Sequence, residues 1–198
     1  MSTTLPFSAA CERNKDPILV VLREAFVRVH SVLEIGAGTG QHAVHFTRHL
    51  PQLRWRPTDR ADALAGLRAR IAAEGPQNLL QPWELDVTGA QWPAERFDAV
   101  YTANTLHIMS WPEVAALFRA LPAVLGSGAV LAIYGPFNYG GQYTSPSNAA
   151  FDAQLRERDP ASGLRDLEAV DALAKEQRLA HVADYAMPAN NRLVLWRA

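Results

Sequence analysis

The chain has a single cysteine, Cys11, among 198 residues, so an internal disulfide is excluded. It has no run of Lys or Arg. Nineteen basic residues stand against twenty acidic ones, for a net charge of -1, which lacks the electrostatic footprint of a dedicated nucleic-acid binder. No apolar stretch reaches membrane length, and the opening MSTTLPFSAACERNKDP has no apolar signal core. These absences predict a soluble, cytoplasmic protein of a reducing compartment, with neither nucleic acid nor membrane as a partner. Repeats and low-complexity tracts are also missing. With 48% hydrophobic residues, the whole of 1–198 is expected to form one domain with a real core.

What the sequence does contain is an alternation of strand and helix signals. Asp16-Pro17 reads as a helix start, with Ile18, Leu19, Leu22 and Phe26 at helical spacing. SVLEIG, LRWRPTD, LLQPWELDV, FDAVYTANTLHI and AVLAIYG read as five strands. Helices fall between them, at about 41–50, around Leu64, Leu67 and Ile71, and from Ser110 until Pro122 and then Gly126-Ser127-Gly128 bring the last of them to a stop. Helices near 147–158 and 165–177 follow, and LAHVADYA and RLVLWR close the chain around MPANN. This order predicts an α/β, doubly wound, mostly parallel sheet with an antiparallel C-terminal hairpin.

EIGAGTGQH, residues 34–42, lies between the first strand and the next helix, where open α/β sheets bind ligands. Gly36, Gly38 and Gly40 alternate, but Gln41 stands where a dinucleotide fingerprint needs its third glycine, and no G-K-[ST] ending follows. The loop thus suits a nucleotide-like ligand without a pyrophosphate. A tight turn needing glycine only for its dihedrals is the alternative. Asp59 ends the second strand, where a carboxylate can accept two ribose hydroxyls, and Asp86 leaves the third. Taken singly, either aspartate suits a helix cap or turn just as well.

In these residues the chain resembles the class I S-adenosylmethionine-dependent methyltransferases, from about residue 31 to 198. ERNKDPIL, LEIGAGTGQHA, ANTLHIMSW, YGPFNY, SPSNAAFD and MPANNR together resemble the methyltransferase-like protein 26 family. The resemblance implies a seven-stranded Rossmann-like fold, an S-adenosyl-L-methionine cofactor and methyl transfer, without fixing the acceptor. It places Gly36, Ala37 and Gly38 against the cofactor's amino-acid tail, with Glu34 below and Gly40 completing the cofactor-binding loop. Asp59 would hold the ribose, Asp86 and Val87 the adenine, and Asn104 would approach the sulfonium end.

Methyl transfer is an in-line displacement, served by positioning and, where the acceptor carries a proton, by a base. His107, after the fourth strand, is the candidate base; a structural histidine at the next helix start is the alternative. His42, His45 and His49 share a helical face, but no matching cysteine or carboxylate pattern accompanies them, so no metal is expected. The loop at 134–152 is aromatic and rich in neutral hydrogen-bonding groups. Phe137, Asn138, Tyr139 and Tyr143, with Asn190 from the last hairpin, are the expected substrate contacts. Residues 1–30 are expected to be a lid segment and helix, with Arg13 clamping the cofactor's carboxylate. Two other functions fit less of the pattern: a non-catalytic S-adenosylmethionine-binding protein and an NAD-dependent oxidoreductase.

Overall fold

Strand β1 (Ser31–Ile35) buries Val32, Leu33 and Ile35 on its two faces, as a central parallel strand requires. The computed structural model, which describes residues 5–198, sets it in the middle of a seven-stranded sheet. Its parallel neighbours are β2 (Arg54–Asp59) and β4 (Phe97–Ala103). The other strands of this sheet are β3 (Trp83–Glu84), β5 (Leu125–Gly135), β8 (Ala180–Met187) and β9 (Asn191–Arg197). Their order is β3-β2-β1-β4-β5-β9-β8, with β9 antiparallel to both β5 and β8. The protein is therefore an α/β fold with a mostly parallel sheet and an antiparallel C-terminal hairpin.

Two cores follow from the pleat of β1. Val32 faces the helices α1 (Ala9–Ala25), α2 (Gln41–His49) and α3 (Leu64–Glu74), among Leu22, Phe26, Phe46 and Leu67. Leu33 and Ile35 face α4 (Trp111–Val124) and α6 (Leu167–Glu176), among Leu117, Phe118, Val170 and Trp196. Between them, β1 and β4 form the point where strand order reverses, and the crevice beyond their C-terminal ends is the ligand position of such sheets.

Several boundaries differ from the sequence reading. Helix α1 begins at Ala9, not at Asp16, because Ser8 caps it by accepting the Cys11 N–H. Pro17 lies inside the helix, and the buried stripe of Asn14, Ile18, Leu19 and Leu22 holds it together despite the missing backbone bond. Helix α4 likewise runs through Pro122 to Val124, since Leu121 and Val124 are both buried. The third strand is cut to Trp83–Glu84, β4 stops at Ala103, and the helix expected at 165 begins at Leu167. The 134–152 stretch is not all loop. Within it, β6 (Phe137–Asn138) pairs with β7 (Arg165–Asp166), and α5 (Pro146–Arg158) starts at its end.

Candidate functional site

The turn after β1 is built from backbone. Gly36 and Gly40 adopt φ of 70° and 75°, in the left-handed region that only glycine enters freely. A Cβ on Gly36 would lie 2.9 Å from Thr105 Oγ1, and one on Gly40 would lie 2.7 Å from Leu67 Cδ1. The loop is thus pressed between the segment after β4 and helix α3. The Gly38 N–H donates to Asp59 Oδ2 at 2.6 Å, which fixes the aspartate at the tip of β2 against the loop.

A cavity of about 530 Å³ opens over the C-terminal ends of β1, β2 and β4. One side is walled by Gly36, Ala37, Gly38 and Asp59, and the next by Asp86 and Val87. Asn104, Thr105 and His107 close the far side. Asp86 accepts the Thr88 N–H at 2.8 Å and the Thr88 hydroxyl at 2.7 Å, and these bonds hold its carboxyl below the usual range. Asn104, at φ 57°, donates its N–H to Tyr134 O, so its side chain is delivered from a turn anchored on β5.

His107 is buried, and burial first, with the nearby Arg165 charge second, pushes its imidazole down to about 4. It is therefore neutral at physiological pH. Arg165 donates to the carbonyls of Leu106, Met109 and Ala161, which braces the segment carrying His107. The Phe151 ring meets the imidazole edge-on at 5.3 Å.

The structure places other sequence candidates away from the cavity wall. Glu34 is buried beneath the loop and accepts the Trp55 indole N–H at 2.8 Å; burial pushes its carboxyl up to about 8. Gly40 caps α2, and Arg13 is exposed on α1. Phe137 packs in the core beside α4 and α6, and Asn138 is buried next to it. Tyr139 donates to Asp184 at 2.7 Å, Tyr143 to Asp152 at 2.8 Å, and Asn190 to Ser147 at 3.3 Å. The β6–β7 pairing folds these aromatics onto the protein itself, and Phe151 is the residue of 134–152 that lines the cavity.

Other lining residues were not singled out from the sequence. Ser8, Ala10 and Cys11, at the start of α1, cover the glycine loop. Gln41 joins them to it: its Oε1 accepts the Ser8 N–H at 2.6 Å and the Thr39 hydroxyl at 3.0 Å. Ile108, Met109 and Glu113 complete the far end. Glu113 had a legible signal, because Ser110-x-x-Glu113 is a capping-box pattern, but that pattern points to a helix start rather than to a cavity.

Three histidines share α2, and each faces a different neighbour. His42 Nε2 lies 2.6 Å from Asn14 Oδ1, His45 pairs with Asp16 at 3.0 Å, and His49 Nδ1 lies 2.8 Å from the His45 carbonyl. Among the described residues no group of three metal-ligating side chains is gathered, and no helix is long and apolar enough to cross a membrane.

This fold is shared with solved S-adenosylmethionine-dependent methyltransferases. An O-methyltransferase family protein from Burkholderia thailandensis superposes with a TM-score of 0.81 at 18% identity, over 92% of this chain and 55% of that one. The S-adenosylmethionine-dependent methyltransferase SibL gives 0.80 at 25% identity, over 96% and 55%. PigF, solved with SAH, gives 0.78 at 13%, over 92% and 55%. The chain thus spans little more than half the length of these proteins. Residues 5–198 match the family described as protein of unknown function DUF938, and the chain belongs to that family.

Proposed function

We propose that the protein is a class I S-adenosylmethionine-dependent methyltransferase, of the methyltransferase-like protein 26 kind, acting on a small molecule. The observation that carries this reading is the convergence of the glycine-loop backbone, Asp59 and Asp86 on one cavity, with Asn104 and His107 across from them. The fit is chemical as well as spatial. S-adenosylmethionine has an adenosine, an amino-acid tail and a sulfonium but no phosphate, and a loop without a third spaced glycine and with two carboxylates suits that set. When bound, it supplies a methyl group whose bond to sulfur breaks as the bond to the acceptor forms, leaving a neutral thioether.

The chain's own residues do the rest. Asp59 offers oxygens to the ribose hydroxyls and Asp86 one to the adenine amine, while Gly36, Ala37 and Val87 contribute backbone. The start of α1 excludes water from above. His107, as a neutral imidazole, is in the proton-accepting form at the acceptor end. Its weak basicity favours a second reading, a cofactor-binding protein without turnover, which an assay across a metabolite panel distinguishes.

The deciding experiment is calorimetry with S-adenosylhomocysteine and, separately, NAD. Only the former is expected to bind. Asp59→Ala should weaken it by about 1.5–3 kcal/mol, the range for hydrogen bonds to a charged group. Unchanged affinity in a folded variant, or preferential NAD binding, would overturn the reading.

The roof leads to a further expectation. S-adenosylhomocysteine should slow trypsin cleavage after Arg13 and Lys15, because ligand under the first turn of α1 opposes the local opening that cleavage requires. Equal cleavage with and without ligand would show that α1 does not close on it.

A further inference from the structure

The acceptor end of the cavity is formed by Thr105, His107, Ile108, Met109, Glu113 and Phe151. Glu113 is the only acidic residue of the six, and burial keeps His107 neutral. One Glu113 oxygen is committed: Oε2 accepts the Ser110 N–H at 2.6 Å in the capping box. Oε1 has no hydrogen-bond partner among the described residues, and Glu113 takes part in no ion pair there. The nearby cation, Arg165, donates behind the wall to the carbonyls of Leu106, Met109 and Ala161, so it acts on Glu113 through space and not as a direct ion-pair partner.

Around this carboxylate the rim is apolar and open. Of the lining residues there, Ile108 is 57% exposed and Phe151 is 37% exposed. A carboxylate without a direct ion-pair partner, lining the same end of the cavity as the Phe151 ring, forms an environment that attracts an organic cation twice, through ion pairing and through the ring quadrupole. The same carboxylate repels an anion in a partly desolvated space.

We propose that the substrate is a small apolar or aryl molecule bearing an ammonium group, held by Glu113 against Phe151, and that carboxylate- or phosphate-bearing molecules are excluded. This assignment rests on the methyltransferase reading for the place of the acceptor, but it concerns binding alone.

The test uses a matched pair of probes, 2-phenylethylamine and 3-phenylpropionate, titrated into the full chain with and without saturating S-adenosylhomocysteine. The amine should bind at least about tenfold more tightly. Glu113→Gln should erase most of that preference while leaving Tm and S-adenosylhomocysteine affinity unchanged, because glutamine serves a capping box as glutamate does. Ser110→Ala weakens the cap but keeps the carboxylate, so it should retain the preference.

Equal binding of the two probes overturns the proposal. So does loss of preference in Ser110→Ala to the same degree as in Glu113→Gln, which would make the role structural. A Glu113→Gln variant that weakens S-adenosylmethionine but not S-adenosylhomocysteine also overturns it, by assigning the carboxylate to the sulfonium. Failure of the wild-type protein to bind S-adenosylhomocysteine defeats the methyltransferase reading instead, and the amine preference is then still read on the ligand-free protein.

Discussion

Stability of the ligand-free protein should peak near pH 6.5 and decline on both sides. Three buried groups set this shape. Burial lowers His42 to about 3 and His107 to about 4 from an ordinary 6.5, and raises Glu34 to about 8 from an ordinary 4.5. A histidine held neutral in the fold gives stability that is present above pH 6.5 and lost as pH falls toward its folded value. A carboxyl held protonated gives stability that is present below pH 4.5 and lost as pH rises toward its folded value. Between pH 4.5 and 6.5 the unfolded chain therefore binds two protons that the fold refuses, against one that the fold keeps. Stability should rise there by about 1.4 kcal/mol per pH unit, and fall at a similar rate from pH 6.5 to 8. Denaturant titrations across this range check the slopes. Glu34→Gln should remove the alkaline decline, and His107→Gln should flatten the acid limb. A maximum above pH 8, or an alkaline limb that survives Glu34→Gln, would refute the assignment.

Trp55→Ala should be among the most damaging single changes, at about 3–5 kcal/mol. The indole is fully buried, with its ring 5.7 Å from Phe46 and 5.5 Å from Tyr101. Its loss opens a large cavity under the glycine loop and leaves Glu34 buried without its donor. For a chain of this length the Tm should drop by roughly 6–20 °C. Trp55→Phe separates the two effects. It retains much of the ring packing but removes the N–H that holds the Glu34 carboxyl down, so the alkaline decline should extend beyond pH 8. A Trp55→Phe variant with the wild-type pH profile would show that the indole bond does not govern Glu34.

The sheet was legible because its strands are short apolar runs between punctuated helices, and the C-terminal hairpin because two such runs flank MPANN. Residues anchored to the ends of β1, β2 and β4 could be placed for the same reason. Once the strand is known, Gly36, Asp59 and Asn104 have one edge to occupy. Proline misled twice, at Pro17 and Pro122, since the residue forfeits a helix bond that local reasoning counts fully and tertiary burial outweighs. The 134–152 stretch misled for a different reason. Its aromatic and amide composition suits a cavity wall, but the Tyr139 hydroxyl is spent on Asp184, forty-five positions away, and no local pattern announces such a partner. Phe151 has a similar composition around it and faces the cavity, a distinction made by the helix it sits on.

Strand β9 lies between β5 and β8, though it comes after both in the chain. As the polypeptide emerges during synthesis, β5 therefore has one flank without a partner until the last strand arrives, and that flank includes Leu131 and Ile133. β8 cannot take the place early, because its own pairing is to β9. An unpaired apolar strand edge is the surface on which chains associate wrongly. The stretch from the appearance of β5 to that of β9 is thus the interval in which this fold depends most on being shielded from its neighbours.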